Sequence, residues 1–209
     1  MTVTVERGLR ADAARNLARV LDAAREVFAE RGSEASMAEI AARAGVGTAT
    51  IYRRFPTKED LLAALFEQAV ARLAADAGQA AEARDVGRAL RGFMQRAAAA
   101  HLADRSYCDC AETNLKLRPE VQRHFDELIA NVDRLLARAK EAGEVREDVN
   151  AYDVPILLMG VAQAGALLED RVPGAWKRYL DIVLDGLRPQ AARPLSRRPL
   201  TARDVHPRA

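Results

Sequence analysis

The side chains best placed for chemistry in this chain are Thr48, Thr50, Tyr52, Arg53, Arg54 and Lys58. Their chemistry is recognition. A threonine offers a hydroxyl and a methyl that can touch a thymine methyl, and an arginine can fork onto guanine or clamp a phosphate. No catalytic set accompanies them. The three histidines, His101, His124 and His206, lie far apart. No Ser/His/Asp grouping, phosphate loop or metal-ligand spacing appears. Cys108 and Cys110 lack the two further ligands a zinc site needs, and so close in sequence they bridge only with strain. Two small buried side chains is their ordinary role; a thiol sensor is the alternative. These observations argue against an enzyme and imply neither cofactor nor metal.

The recognition residues sit in Ser36 to Lys58, which has the pattern of two short helices and the start of a third. Ser36 and Glu39 have capping-box spacing. Ile40, Ala41 and Ala44 form one apolar face, and Gly45 supplies a left-handed position to end the helix. A second helix, Thr48 to Arg54, turns Ile51 and Phe55 inward and Thr48, Thr50, Arg53 and Arg54 outward. Pro56 breaks the chain and Thr57 can cap the next helix. This is the helix-turn-helix plan, whose second helix enters the major groove.

Composition permits that plan. The chain has 209 residues, 49% apolar and 30% charged, enough for a real core. The net charge of +2 says little, but its distribution says more. Residues 1–58 carry ten Lys and Arg against seven Asp and Glu, residues 59–187 carry 16 against 22, and residues 188–209 carry six against one. A basic start on an acidic body fits contact with nucleic acid at one end. No signal-peptide pattern opens the chain. The longest apolar run, Val154 to Leu168, contains Gln163 and is too short to span a bilayer. The expectation is a soluble, cytoplasmic protein.

The elements that must position the site follow in order. Residues 1–13 lack helical periodicity and suggest a flexible basic arm. Leu17, Val20, Leu21, Ala24, Val27 and Phe28 define the first helix, which Gly32 ends. Arg15, Asn16 and Arg19 lie at its start, where they can meet a phosphate. A fourth helix, Lys58 to about Ala77, points Leu61, Leu62, Leu65, Phe66, Val70 and Leu73 inward with no linker before it. A fifth covers about Val86 to Leu102. Asp104 to Leu117 suggests a shorter, irregular helical segment. A long helix opens at Pro119 and runs to about Ala142. The next, capped by Asp153, is apolar on nearly every face, which calls for burial from two sides. Pro173 starts the last. Residues 190–209 suggest a disordered basic tail.

Residues 16–66 resemble the DNA-binding domain of the TetR family of transcriptional regulators. The matching pieces are AREVFAERG (Ala23–Gly32), MAEIAARAGV (Met37–Val46) and TIYRRFPTKEDLLAALF (Thr50–Phe66). Two positions depart from the pattern. Gly47 stands where a serine is common, which weakens the cap of the reading helix, and Arg54 stands where histidine is frequent. The resemblance implies backbone contact at Ser36 and Met37. It implies a reading surface of Thr48, Ala49, Thr50 and Arg53, and phosphate contacts from Tyr52 and Lys58. Tyr52 can alternatively be core, and Arg54 can serve a phosphate or only solubility.

The resemblance also implies an all-α protein of about nine helices. A helix-turn-helix domain, residues 14–58, is followed by an effector-binding and dimerisation domain, residues 59–189. The expected partners are a double-stranded, palindromic operator, a small-molecule effector and a second copy of the chain, with no membrane. Pocket candidates are Phe93, Met94, Ala97, His101, Tyr107, Phe125, Met159 and Gln163, each of which can instead be core. Interface candidates are Leu157, Leu158, Val161, Gly165, Leu168, Trp176, Tyr179 and Val183. The function this implies is a repressor released by its effector. The alternative is a helical ligand- or protein-binding module without operator binding.

Overall fold

The structure, a computed structural model, describes residues 2–103, 118–191 and 193–205. Among these residues every regular element is helical. In chain order they are α1 (Thr2–Arg31), α2 (Met37–Ala44), α3 (Thr48–Arg54), α4 (Lys58–Ala81), α5 (Val86–Ala103), α6 (Pro119–Glu141), α7 (Asp153–Ala166), α8 (Trp176–Gly186) and the single turn α9 (Ala202–Val205). None of them is long and apolar enough to cross a membrane. The described residues form two compact units: 2–68 with 118–121, and 69–103 with those from 122 onward.

In the first unit α1 packs on α2 and α2 on α3. Val20, Leu21, Ala24, Val27 and Phe28 are buried at the helical spacing their sequence shows, while Leu17 is half-buried. Ile40, Ala41 and Ala44 of α2, Ile51 of α3, and Phe55 just after it are buried with them. Leu61, Leu62, Leu65 and Phe66 of α4 are buried too. On the surface, Arg43 holds Glu30 at 2.9 Å and Glu26 at 3.1 Å. Exposed pairs of this kind contribute about 0–1 kcal/mol each. Burying one Ile or Phe contributes roughly 1.5–3 kcal/mol, so the apolar faces hold the unit.

In the second unit α7 packs against α5 and α8. Leu90, Phe93, Met94 and Ala97 are buried on α5, Val154, Leu158 and Val161 on α7, and Trp176, Leu180 and Leu184 on α8. Gly165 permits the α7–α8 approach: a Cβ there would stand 2.6 Å from the Cβ of Trp176. α6 buries Leu128, Val132, Leu135, Leu136 and Ala139. It is tied to the last turns of α4, where Asn131 donates to the Ala74 carbonyl at 2.8 Å and Arg138 to that of Ala81.

Several expectations meet a different structure. The helix of α1 extends back to Thr2, so residues 2–13 are not an irregular arm. That run contains no proline and one glycine, so nothing in its backbone stops the helix. Asp153 is the first residue of its helix but not its cap. The Asn150 Oδ1 accepts the N–H of Tyr152 at 3.0 Å and of Asp153 at 3.3 Å, and Asp153 accepts the N–H of Asn150 at 2.8 Å, a reciprocal box one turn earlier. The last long helix starts at Trp176 rather than Pro173, after a turn in which Gly174 has φ +77°. The segment expected at 104–117, with Tyr107, Cys108 and Cys110, lies outside the described residues.

The C-terminal stretch also differs: residues 193–200 are strapped to the α6–α7 loop. Arg146, 9% exposed, forks onto Asp148 at 2.6 and 2.9 Å and donates to the carbonyls of Gly186 and Arg193. Asp148 accepts the N–H of Leu195 at 3.2 Å, and Asn150 donates to the carbonyl of Leu200 at 2.6 Å. Side chains far upstream supply these bonds, so the tail's own lack of periodicity gives no sign of them. The Arg146 guanidinium, foremost, lowers the Asp148 carboxyl to about 2. A carboxylate lowered on folding stabilises the folded state above its ordinary value, near 4, and loses that contribution as pH falls through about 2. Asp148→Asn should therefore speed amide exchange at Leu195 at neutral pH and leave the amides of α5 protected; unchanged exchange at Leu195 would count against the strap.

Candidate nucleic-acid interface

The site is assembled from three local devices. The first starts α2. Ser36 Oγ accepts the N–H of Glu39 at 3.2 Å, while Glu39 accepts the Ser36 N–H at 3.0 Å and its hydroxyl at 2.9 Å. These bonds, that of the Ser36 N–H foremost, hold the Glu39 carboxyl below its ordinary range. The second device ends α2. Gly45 sits at φ +65°. Its N–H reaches the Ala42 carbonyl at 3.2 Å, and the Val46 N–H reaches that of Ala41 at 3.0 Å, the paired bonds of a Schellman turn. The third starts α4. Thr57 Oγ1 accepts the N–H of Asp60 at 3.1 Å, and Asp60 accepts the Thr57 N–H and hydroxyl at 3.0 and 2.8 Å. Asp60 also accepts from Arg118 at 3.0 Å. Thr57, then Arg118, lower its carboxyl.

Between these devices α3 presents its outer face. Thr48, Ala49, Thr50, Arg53 and Arg54 are exposed, and Ile51 is 1% exposed. Tyr52 is 49% exposed, which removes it from the core and leaves its hydroxyl available to a phosphate. Gly47 gives α3 no side-chain cap, as the departure at that position implies. Met37 is buried, so it can offer only backbone at the start of α2. Lys58 is half-buried with Nζ 5.4 Å from the centre of the Phe28 ring. Arg15 is exposed near the middle of α1. One residue of the α1 phosphate candidates turns elsewhere: Arg19 donates to the Ala44 carbonyl at 2.6 Å. Sequence spacing carries no signal for that bond between separate helices.

The residues expected to line an effector pocket are not brought around a common opening. Phe93, Met94 and Ala97 are at most 1% exposed, whereas Met159 and Gln163 face outward and Phe125 is half-buried. His101 is half-buried with Nδ1 3.1 Å from the Ala97 carbonyl. An open cleft of about 430 Å³ lies instead between the end of α4 and α5, lined by Gln79, Ala80, Arg88, Gly92, Gln95 and Arg96 among others. The interface candidates divide. Leu158, Val161, Gly165 and Trp176 pack inside the unit, Leu157, Leu168 and Val183 are half-buried, and Tyr179 is exposed. Beside Tyr179 the outward apolar residues of α7 and α8 are Ile156, Met159 and Ile182, exposed at 44, 37 and 57%.

A capped helix-turn-helix followed by a separate helical unit defines a DNA-binding regulator, and comparison with known proteins gives the same class. Residues 20–65 match the model of bacterial regulatory proteins of the tetR family. Residues 85–189 match that of the SbtR-like transcriptional regulator C-terminal domain. The chain belongs to the TetR family of DNA-binding transcriptional regulators, a family of regulators rather than enzymes. It is 30% identical over 138 residues to the fatty acid metabolism regulator protein of Bacillus subtilis (strain 168), covering 63% of this chain and 71% of that one. A TetR transcription regulatory protein from Mycobacterium vanbaalenii is similar at 38% identity and TM-score 0.61, over 86% of this chain and 99% of that one. A transcriptional regulator FadR from Bacillus subtilis, solved with stearoyl-CoA, shares the fold at 20% identity and TM-score 0.62, over 82% and 100% of the two chains.

The caps give direct expectations. Gly47→Ser should raise the thermal stability of the protein slightly, by a few tenths of a kcal/mol, because Ser caps a helix better than Gly. The site has room: a Cβ at Gly47 would meet only Thr50 Oγ1 at 3.9 Å. Ser36→Ala should cost about 1 kcal/mol in denaturant unfolding. Equal stability of both variants and the parent would contradict this account of the helix starts.

Proposed function

We propose that the protein is a repressor that binds a palindromic operator as a homodimer and is released by a small-molecule effector in the cytoplasm. The observation that carries this reading is the outward face of α3, where Thr48, Thr50, Tyr52 and Arg53 stand exposed together while Ile51 anchors the helix. Phosphate contacts position such a helix and base-edge contacts specify the sequence. Arg53→Ala should weaken binding to a duplex selected from random sequences by about 1–3 kcal/mol and relax specificity. A selected duplex bound equally well by the variant would remove Arg53 from the reading surface.

Dimerisation is supported by the outward apolar face of α7 and α8. Ile156, Met159, Tyr179 and Ile182 are exposed, and at Gly160 of α7 an added Cβ would meet nothing within 4 Å. Two such faces make a four-helix interface about a two-fold axis, and the same axis sets two reading helices one DNA turn, about 34 Å, apart. Ile182→Glu should yield a folded monomer in analytical ultracentrifugation that has lost tight operator binding. A dimer that survives this change would relocate the interface.

Release is supported by α4, one unbroken helix that contributes residues to both units. An effector with different affinity for two conformations of the second unit then alters the first through that helix. The proposed receiving surface is the face of α5 with Phe93, Met94 and Ala97, which is packed in this structure, so an effector reaches it only in a conformation where the neighbouring helices part. FadR from Bacillus subtilis binds stearoyl-CoA, so long-chain acyl-CoA is the first effector class to test. Its addition should release a bound duplex in a gel shift, and persistence of the complex at saturating acyl-CoA would exclude this class.

A further inference from the structure

Arg19 has the features of a DNA contact, being an exposed cation on a helix that adjoins the reading unit. The structure gives its guanidinium another task. Nη2 donates to the Ala44 carbonyl at 2.6 Å and reaches that of Gly45 at 3.4 Å, and Nη1 reaches Asn16 Oδ1 at 3.4 Å. Ala44 is the last residue of α2. Its carbonyl is one that no helical N–H can satisfy, and it lies at the negative end of the helix dipole. The Schellman turn occupies the carbonyls of Ala41 and Ala42 only. Arg19 therefore caps α2 from outside, with a charged donor on a carbonyl facing the turn.

The next residues explain why that matters. Gly47 begins α3 with no side-chain cap. Beyond the buried Ile40, Ile51 and Phe55 beneath it, the direction in which α3 leaves the turn is held by the Gly45 conformation and by Arg19. We infer that Arg19 is a positioning residue for DNA recognition: it fixes the α2–α3 turn from α1, so that Thr48, Thr50 and Arg53 meet the groove together, and does not itself bind a phosphate. The inference rests on the DNA-binding reading of α3. Gly45 reports on the same contact. A Cβ at Gly45 would stand 2.9 Å from Arg19 Nη2, so the guanidinium must shift from its place on the carbonyl.

The test uses the full-length protein, a duplex selected from random sequences, and a salt titration. Arg19→Met keeps the stem and removes the donors. It should weaken binding about tenfold while leaving the slope of log affinity against log salt unchanged, because no phosphate contact is lost. Arg19→Lys should recover part of the affinity, since one ammonium donor can still reach the Ala44 carbonyl. The effect of Gly45→Ala should be smaller in the Arg19→Met background than alone, because only the strain at φ +65° then remains. Thermal melts confirm that each variant is folded at the assay temperature. A slope reduced by about one unit would make Arg19 a phosphate contact and overturn the inference. Additive effects at Gly45 and Arg19, or unchanged affinity in Arg19→Met, would overturn it too. A parent protein that binds no selected duplex overturns the DNA-binding reading, and this role with it.

Discussion

The reading unit depends on one backbone constraint: α2 must stop and α3 must start within three residues, Gly45 to Gly47. Only a residue that tolerates positive φ closes α2 so abruptly, and Gly45 sits at φ +65°. Val46 and Gly45 then return their N–H groups to the end of α2, and Gly47 follows in extended conformation. Neither glycine of the turn has a side chain to stiffen it, and Val46 between them is half-buried. The geometry of the turn is fixed instead from both sides: by the buried Ile40, Ile51 and Phe55 beneath, and by Arg19 from α1. The same division of labour sets α3 itself, whose single buried residue, Ile51, leaves nearly the whole of its surface outward.

Much of this was legible because it is local or periodic. The caps at Ser36 and Thr57 and the stop at Gly45 depend on residues three or four apart, so sequence spacing states them. The buried stripes of α4 and α5 follow from helical periodicity alone: Leu61, Leu62, Leu65, Phe66, Val70 and Leu73 are buried on α4, and Val86, Leu90, Phe93, Met94 and Ala97 on α5, while His101, which continues the α5 stripe, is half-buried. What spacing cannot state is the partner of a long polar side chain. Arg19 reaches a carbonyl 25 residues away, and Asn150 one 50 residues away. The C-terminal strap was invisible for that reason: Arg146, Asp148 and Asn150 resemble ordinary loop residues until the tail arrives beside them.

The second unit shows a different limit. An apolar helix such as α7 has more than one greasy face, and periodicity does not say which meets its own chain. Gly165 is an interface candidate and also a small residue that allows close helix packing, and the structure shows the second role: an added Cβ would stand 2.6 Å from the Cβ of Trp176. The opposite edge, with Ile156 and Met159, is the one left open. Likewise Tyr179 and Ile182 of α8 lie three residues apart on one outward stripe, while Trp176 and Leu180 turn inward. Packing within the chain consumes one stripe of each helix and leaves the other outward.

The two ends of α4 are held by different polar contacts. The start of α4 is held by the Thr57–Asp60 box, and Arg118, one residue before α6, joins it through Asp60. The end of α4 is held by α6 again, through Asn131 on Ala74 and Arg138 on Ala81. These contacts are polar and directional, and two more lie along the helix, where Gln68 accepts from Arg25 and Asp76 from Arg96, beside a buried stripe of leucines and alanines. A directional bond has a preferred geometry and loses strength steeply outside it. Each of these bonds fixes the place of one turn of α4 against the side chain that reaches it.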